Sequence, residues 1–398
     1  MIIIKTLVEL FDTCQIENVI AALRFKPEKI VFVGFKKIMT RKKTEDLKRF
    51  FEMRKFNIKL EYRIVSRYDY KEIVDGISEI IDENEDAAFD LTGGKELVLV
   101  AMGEIAAARG VPMFQFDVRS GEMICVKNCQ NIPETEKTHM TIEENVALSG
   151  GSVVEDPEQF KWNLTEDFKK DVRIMWDICR KNCRAWNRNS GIIKMLEASN
   201  ESVLELGVTV SASNMRDLPD ENIMDELAET GIIKGYNNSG DKIVFEYKNE
   251  QVRRVLAKAG NILELYVYIA AKQIQEEDPK YYDDIDTGVF VDWDGELTGR
   301  NDTRNEIDIF IMRDLVPVFV SCKNGEVHKE ALYELNTVAE KFGGEYAKKV
   351  LVCTYISYSK SARDYIIQRA RDMKIEIIED VDSLSDEQFV SEIRQRIR

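Results

Sequence analysis

Short apolar runs alternate with amphipathic stretches through residues 1–130. Ile2–Leu10, Lys29–Gly34, Ile58–Val65 and Ala87–Leu91 read as strands. Gln15–Leu23, Thr44–Phe56, Tyr70–Glu83 and Glu96–Arg109 read as helices, and Val111–Asp117 with Met123–Val126 as a terminal hairpin. This alternation implies an α/β unit, a Rossmann-like parallel sheet with helices on both faces. Ligands of such sheets bind at the carboxyl ends of the strands.

The pattern loosens over residues 130–165, where Asn131–Thr138 is polar and Leu148–Ser152 is small. This reads as a linker, with a boundary near residue 140. Phe168–Asn187, Ser190–Ala198 and Asn222–Thr230 read as helices. Gly231–Tyr236 and Lys242–Tyr247 form a hairpin about an Asn/Gly turn. Helices followed by a hairpin give residues 141–254 a winged-helix-like layout, read as a structural or dimerising insert. Asn249–Glu276 is one helix, or two joined near Gly260, and Gly288–Trp293 a strand ending in the turn Asp294-Gly295-Glu296. Val327–Phe342 and Ser359–Met373 read as helices, Lys348–Tyr355 and Ile375–Glu379 as strands.

Two strands in this last part, residues 255–398, carry the chemistry. Arg304–Ile311 and Val316–Lys323 are joined through Arg313-Asp314-Leu315. Side chains alternate along a strand, so Glu306 and Asp308 share a face, as do Ser321 and Lys323. An even-numbered loop would put all four on one side. Buried carboxylates are tolerated when paired or holding a metal. A divalent ion beside a lysine is an arrangement for phosphodiester cleavage. The alternative is a solvated edge hairpin with a salt bridge. Asp292 is a further candidate on the preceding strand, as are His328 and Lys329 on the following helix.

A second constellation ends the fourth strand: Asp90-Leu91-Thr92-Gly93-Gly94-Lys95. Two glycines let the backbone approach a ligand, and the following helix turns its N–H groups toward an anion. Asp12 and Gln15 follow the first strand, and Thr40 stands among lysines after the second, giving a cationic rim. An ordinary strand-to-helix turn and a solvated basic loop are the alternatives.

Acids exceed bases by 72 to 56, a net charge of −16, which argues against a protein that coats nucleic acid constitutively. No apolar run approaches a membrane span, so no membrane partner is expected. Met1–Lys5 is too short and too soon charged for a signal peptide. Seven scattered cysteines fit a reducing cytoplasm. Cys125/Cys129 and Cys179/Cys183 lack the usual zinc spacing and read as packing or surface residues.

Residues 1–140 resemble the CRISPR-associated Rossmann-fold sensor domain known as CARF, on the Thr-Gly-Gly-Lys turn, the polar loop after the first strand and the strand-helix order. That resemblance implies a cyclic oligoadenylate bound across a twofold dimer interface. Asp12, Gln15, Thr40, Thr92, Gly93, Gly94 and Lys95 would lie near the ring. Asp308, the hairpin, Ser321-Cys322-Lys323 and the helix after it resemble the core of the PD-(D/E)xK nucleases, a restriction-endonuclease-like fold. The acid usual in that family two residues before the lysine is Ser321 here. The resemblance implies Mg²⁺ or Mn²⁺ on Asp308, Glu306, Glu264 and the Cys322 carbonyl. Lys323 would assist water, with Ser321 beside it. Together they imply a homodimeric endonuclease in type III CRISPR antiviral defence, activated by cyclic tetra-adenylate. Its substrate would be DNA, with RNA as an alternative. A ligand-responsive binding module that has lost cleavage is the competing reading.

Overall fold

A computed structural model describes residues 4–130, 132, 135–156, 159–211, 216–295 and 304–397. Met1–Ile3 of the expected first strand, Asn131, Pro133 and Glu134 of the expected linker, and Glu296 of the expected turn lie outside the described residues.

The first unit runs β1 (Thr6–Leu10), α1 (Ile20–Phe25), β2 (Lys29–Gly34), α2 (Arg41–Met53), β3 (Lys59–Ile64), α3 (Tyr70–Glu83), β4 (Ala87–Asp90), α4 (Glu96–Arg109), β5 (Met113–Asp117) and β6 (Glu122–Lys127). Its sheet order is β3-β2-β1-β4-β5-β6, parallel except for the final hairpin. The order reverses between β1 and β4, so the turns after those strands face one crevice. α3 and α4 cover one face over Val8, Val31 and Phe89. α1 and α2 cover the other over Leu7, Ile30 and Ala88.

Two expected boundaries move. Residues 15–19 form a turn rather than a helix, and the Asn18 side chain holds it. Asp12 N donates to Asn18 Oδ1 at 2.7 Å, and Asn18 Nδ2 donates to the Asp12 carbonyl at 3.1 Å. Such a side chain offers the backbone an alternative to the helix. α2 starts at Arg41 rather than Thr44, because Thr40 caps it by accepting from Lys43 N at 3.4 Å.

The middle runs α5 (Ile142–Leu148), β7 (Ser152–Val153), α6 (Glu166–Lys181), α7 (Cys183–Ala198), β8 (Gly207–Ser211), α8 (Glu221–Glu229), β9 (Ile233–Asn238) and β10 (Lys242–Tyr247). Part of the expected linker, residues 142–153, is therefore structured. Thr141 and Glu144 form a reciprocal capping box on α5, and β7 joins the C-terminal sheet. The helix expected over Phe168–Asn187 breaks at Asn182, whose side chain caps α7 by accepting from Ala185 N at 3.0 Å. β8 adds a third strand in the order β8-β10-β9, completing the winged-helix-like insert.

The C-terminal part runs α9 (Glu250–Ala257), α10 (Asn261–Glu277), β11 (Asp284–Asp292), β12 (Arg304–Arg313), β13 (Val316–Lys323), α11 (Lys329–Gly343), β14 (Lys348–Cys353), α12 (Lys360–Asp372), β15 (Ile375–Ile378) and α13 (Asp386–Arg396). Its sheet order is β15-β14-β13-β12-β11-β7. β11, β12 and β13 are antiparallel, and β13, β14 and β15 parallel. One face packs on α10, α13 and the insert through Leu263, Ile309, Val320 and Phe389. The other shares a continuous cluster with the first unit, in which Ile30 and Phe50 join Phe310, Phe319 and Phe342. Each fully buried aromatic there contributes roughly 1.5–3 kcal/mol. The two parts are thus fused through a common core.

Candidate functional site

β12 and β13 pair from Arg313↔Val316 to Ile309↔Val320, around the two-residue loop Asp314-Leu315. Beyond Ile309 they part, while β12 stays paired with β11 as far as Arg304↔Asp292. Asp308 stands at this fork. Its Oδ2 accepts from Cys322 N at 2.7 Å and from Ser321 Oγ at 3.2 Å, and lies 3.7 Å from Lys323 Nζ. The carboxylate thereby takes the position of a ladder carbonyl and keeps the gap open.

The four hairpin residues meet at this fork rather than on one flat face. Ile309 packs toward α10, whereas Ile307 packs with the α11 side, so strict alternation breaks at Asp308. Thr287 Oγ1 fixes the break by donating to the Asp308 carbonyl at 2.8 Å.

α10 brings Glu264 to the same place. Burial pushes its carboxyl up to about 7, with the charges of Asp308 and Glu306 adding. Gly260, one turn earlier, leaves room: a Cβ there would lie 3.0 Å from Glu264 Oε1. Lys258, between α9 and α10, places its Nζ 3.5 Å from Glu306 Oε1. Burial opposes its charge, but Glu264, Glu306 and Asp308 together hold its pKa above the usual lysine range. Sequence reasoning missed Lys258, because one lysine at the end of a helix carries no local signal. Glu264, Glu306 and Lys258 open into a cleft of about 650 Å³ that Gly288, Phe290 and Arg254 also line.

Other candidates fall elsewhere. Asp292 is buried and closes its own turn, its Oδ2 accepting from Gly295 N at 2.7 Å. His328 stands at the N-cap position of α11 without a side-chain capping bond, and with Lys329 lines a separate groove beside Ser357 and Tyr365. All seven cysteines are free thiols, and Cys179 and Cys183 are buried. Among the described residues, one trio of potential metal ligands lies within 4.8 Å of one another: His139, Asp283 and Asp314. The carboxylates at the fork are not all within that reach.

At the crevice of the first unit, Asp12 is buried, with Gly94 N donating to its Oδ2 at 3.1 Å. Burial raises its pKa, but the amides of Cys14, Gly94 and Thr13 outweigh that and lower it overall. Thr92 Oγ1 donates to Asp90 Oδ1 at 2.6 Å and accepts from Phe116 N at 2.8 Å, which locks the turn. Gly93 and Gly94 take φ of 72° and 108°, a region that glycine alone enters freely. Lys95 is half-buried at the start of α4. Gln15 and Thr40 face a neighbouring cavity of about 380 Å³ with Thr13, Lys42, Lys341 and Tyr346.

That cavity lies between the two parts. Tyr346 Oη donates to Glu17 Oε1 at 2.6 Å, and Arg119 Nη2 donates to the Glu345 carbonyl at 3.0 Å. Glu17 sits directly under the glycine turn: a Cβ on Gly93 would come within 2.5 Å of its Oε2. Burial pushes the Glu17 carboxyl up to about 7, against the Tyr346 hydrogen bond.

Fold and site together give a Rossmann-like α/β unit joined to a mixed-sheet domain whose fork gathers Asp308, Glu306 and Glu264 beside Lys258 and Lys323. Residues 249–396 match the family described as the Card1-like endonuclease domain. By sequence, no curated protein matches the chain. By structure, the chain is similar to protein VC1899 from Vibrio cholerae, with a TM-score of 0.76 and 19% identity over 98% of this chain and 97% of that one. It is also similar to Can2 from Sulfobacillus thermosulfidooxidans, solved in complex with cyclic tetra-adenylate. The TM-score there is 0.69, with 16% identity over 99% of this chain and 98% of that one. Both share the fold from end to end.

Proposed function

We propose that this protein is a metal-dependent endonuclease switched on by a cyclic oligoadenylate, cyclic tetra-adenylate foremost. It would act on DNA, with RNA as a second substrate, in antiviral defence inside the cell. The carrying observation is the fork, where Glu264, Glu306 and Asp308 converge between Lys258 and Lys323 inside an endonuclease-type domain.

The donor set suits a hard cation. It offers carboxylate oxygens, and the Glu264 carboxyl is pushed up to about 7, first by burial and then by the charges of Asp308 and Glu306. Asp308, Glu306 and Glu264 would hold Mg²⁺ or Mn²⁺, with the Cys322 carbonyl beside them. The ion would lower the pKa of a bound water and polarise the phosphate. Lys323 orients the attacking water from the Asp308 side. Lys258, kept cationic by three acids, offsets charge that builds on the phosphate. Ser321 stands where an acid is usual and steadies Asp308 by hydrogen bond instead.

For the switch, α4 leaves Leu97 43% and Val100 58% exposed beside the glycine turn. This apolar strip suits a second copy related by a twofold axis, matching a ring-shaped ligand. The basic rim around Thr40 suits its phosphates. Lys323→Ala tests the catalytic half. It should abolish cutting while leaving binding of cyclic tetra-adenylate intact. Undiminished cutting would remove Lys323 from the mechanism. If the wild type never cuts, the competing reading of a ligand-responsive binding module takes over.

A further inference from the structure

The catalytic cleft has a second wall that the proposed chemistry does not use. Phe290 on β11 stands directly across the ladder from Glu306. Its neighbours Val289 and Val291 are buried, but Phe290 is only half-buried and turns into the cleft. Among the described residues, no aromatic ring pairs with it. Gly288, on the same face, presents no side chain and takes φ of 60°, which leaves the ring open on that side.

Facing this ring is a wall from the segment before α6. Phe160 and Trp162 meet edge to face with centroids 4.9 Å apart. The Arg254 guanidinium lies 5.3 Å over the Phe160 ring and is held in place by Glu250 at 2.9 Å. Gln159 is anchored at the same rim, its Nε2 donating to the Gly288 carbonyl at 2.9 Å. Lys194 and Lys258 add positive charge around the opening.

A flat apolar platform, a polar rim and cations, all beside hydrolytic carboxylates, fit one kind of group. It is a planar ring with hydrogen-bonding edges, attached to a phosphate. We infer that the cleft contains a nucleobase subsite, in which the base next to the scissile phosphate leaves its stack and lies on Phe290. The subsite rests on the nuclease reading. It adds that recognition beside the scissile phosphate is by stacking on Phe290 rather than by sequence.

The test uses the full-length protein with cyclic tetra-adenylate and Mn²⁺. The substrates are end-labelled single-stranded DNA oligonucleotides with one abasic residue moved along the strand. Wild type should cut the bond beside the abasic position at least about fivefold less well. Phe290→Leu preserves apolar bulk but offers no π face. It should raise KM by a similar factor with kcat within about twofold, and cease to distinguish abasic from intact strands. Phe290→Tyr should restore the distinction. Indifference of the wild type to the abasic residue, or wild-type behaviour in Phe290→Leu, overturns the subsite. Binding of the same strands to Lys323→Ala, followed by fluorescence anisotropy, separates this proposal from the one beneath it. Affinity that drops at the abasic position without any cutting by wild type keeps the subsite and discards the nuclease. Equal affinities discard the subsite.

Discussion

In the proposed site, Glu264 is the side chain that would set the working pH. Its carboxyl is held up to about 7, first by burial and then by Asp308 and Glu306. Below that value it carries a proton, which a cation at the proposed site would have to displace. At limiting Mg²⁺ the cutting rate should therefore rise about tenfold per pH unit below 7 and level off above it. More Mn²⁺ should move the midpoint down. Glu264→Gln should lose this limb along with most of the activity. A wild-type profile that is flat through neutrality would take Glu264 out of the ligand set. Lys258 is the complementary case: its position between two helices matters only because α10 and β12 converge there, which no local pattern announces.

At the scale of elements, the glycine turn is the most constrained piece. Gly93 combines a positive φ with no room for a side chain, since a Cβ would strike Glu17 and approach Asp12 at 3.3 Å. Gly93→Ala should lower the affinity for cyclic tetra-adenylate by at least about tenfold, because the strained turn costs roughly 1–2 kcal/mol and the clash adds to it. Isothermal titration gives the answer, and unchanged affinity would move the ligand away from this turn. The turn and the hairpin were legible in the sequence because each follows a local rule. Gly-Gly marks close backbone approach, and alternation over Arg304–Lys323 marks paired strands. What escaped depends on distant partners. β7 exists only because β11 offers it an edge, α7 begins where Asn182 turns to cap it, and β8 and α13 are held by the insert and by α10. The alternation rule also put Glu306, Asp308, Ser321 and Lys323 on one face, and it failed at Asp308 because the strands fork there.

Among the described residues, the crevice of the first unit and the C-terminal domain touch through few polar groups. Tyr346 reaches Glu17 from 329 residues away in sequence, and Glu17 lies against Gly93. Tyr346 follows α11, which packs on β13 through Leu332 and Phe342. In the proposed switch, a ligand that displaces the glycine turn would push on the element behind the fork. Tyr346→Phe removes one hydroxyl and little packing. It should leave ligand affinity within about threefold but cut the ratio of ligand-stimulated to basal cleavage by about fivefold or more, as expected for a coupling of 1–3 kcal/mol. An unchanged ratio would show that the signal takes another route through the shared core.

One measurement reaches the centre of this account. Circular single-stranded and supercoiled double-stranded DNA are incubated with the protein and Mg²⁺ or Mn²⁺, with and without cyclic tetra-adenylate, beside Lys323→Ala. Cutting is expected only when ligand, metal and Lys323 are all present. Cutting of equal rate without ligand would contradict the switch, and no cutting by a wild type that demonstrably binds the ligand would contradict the nuclease.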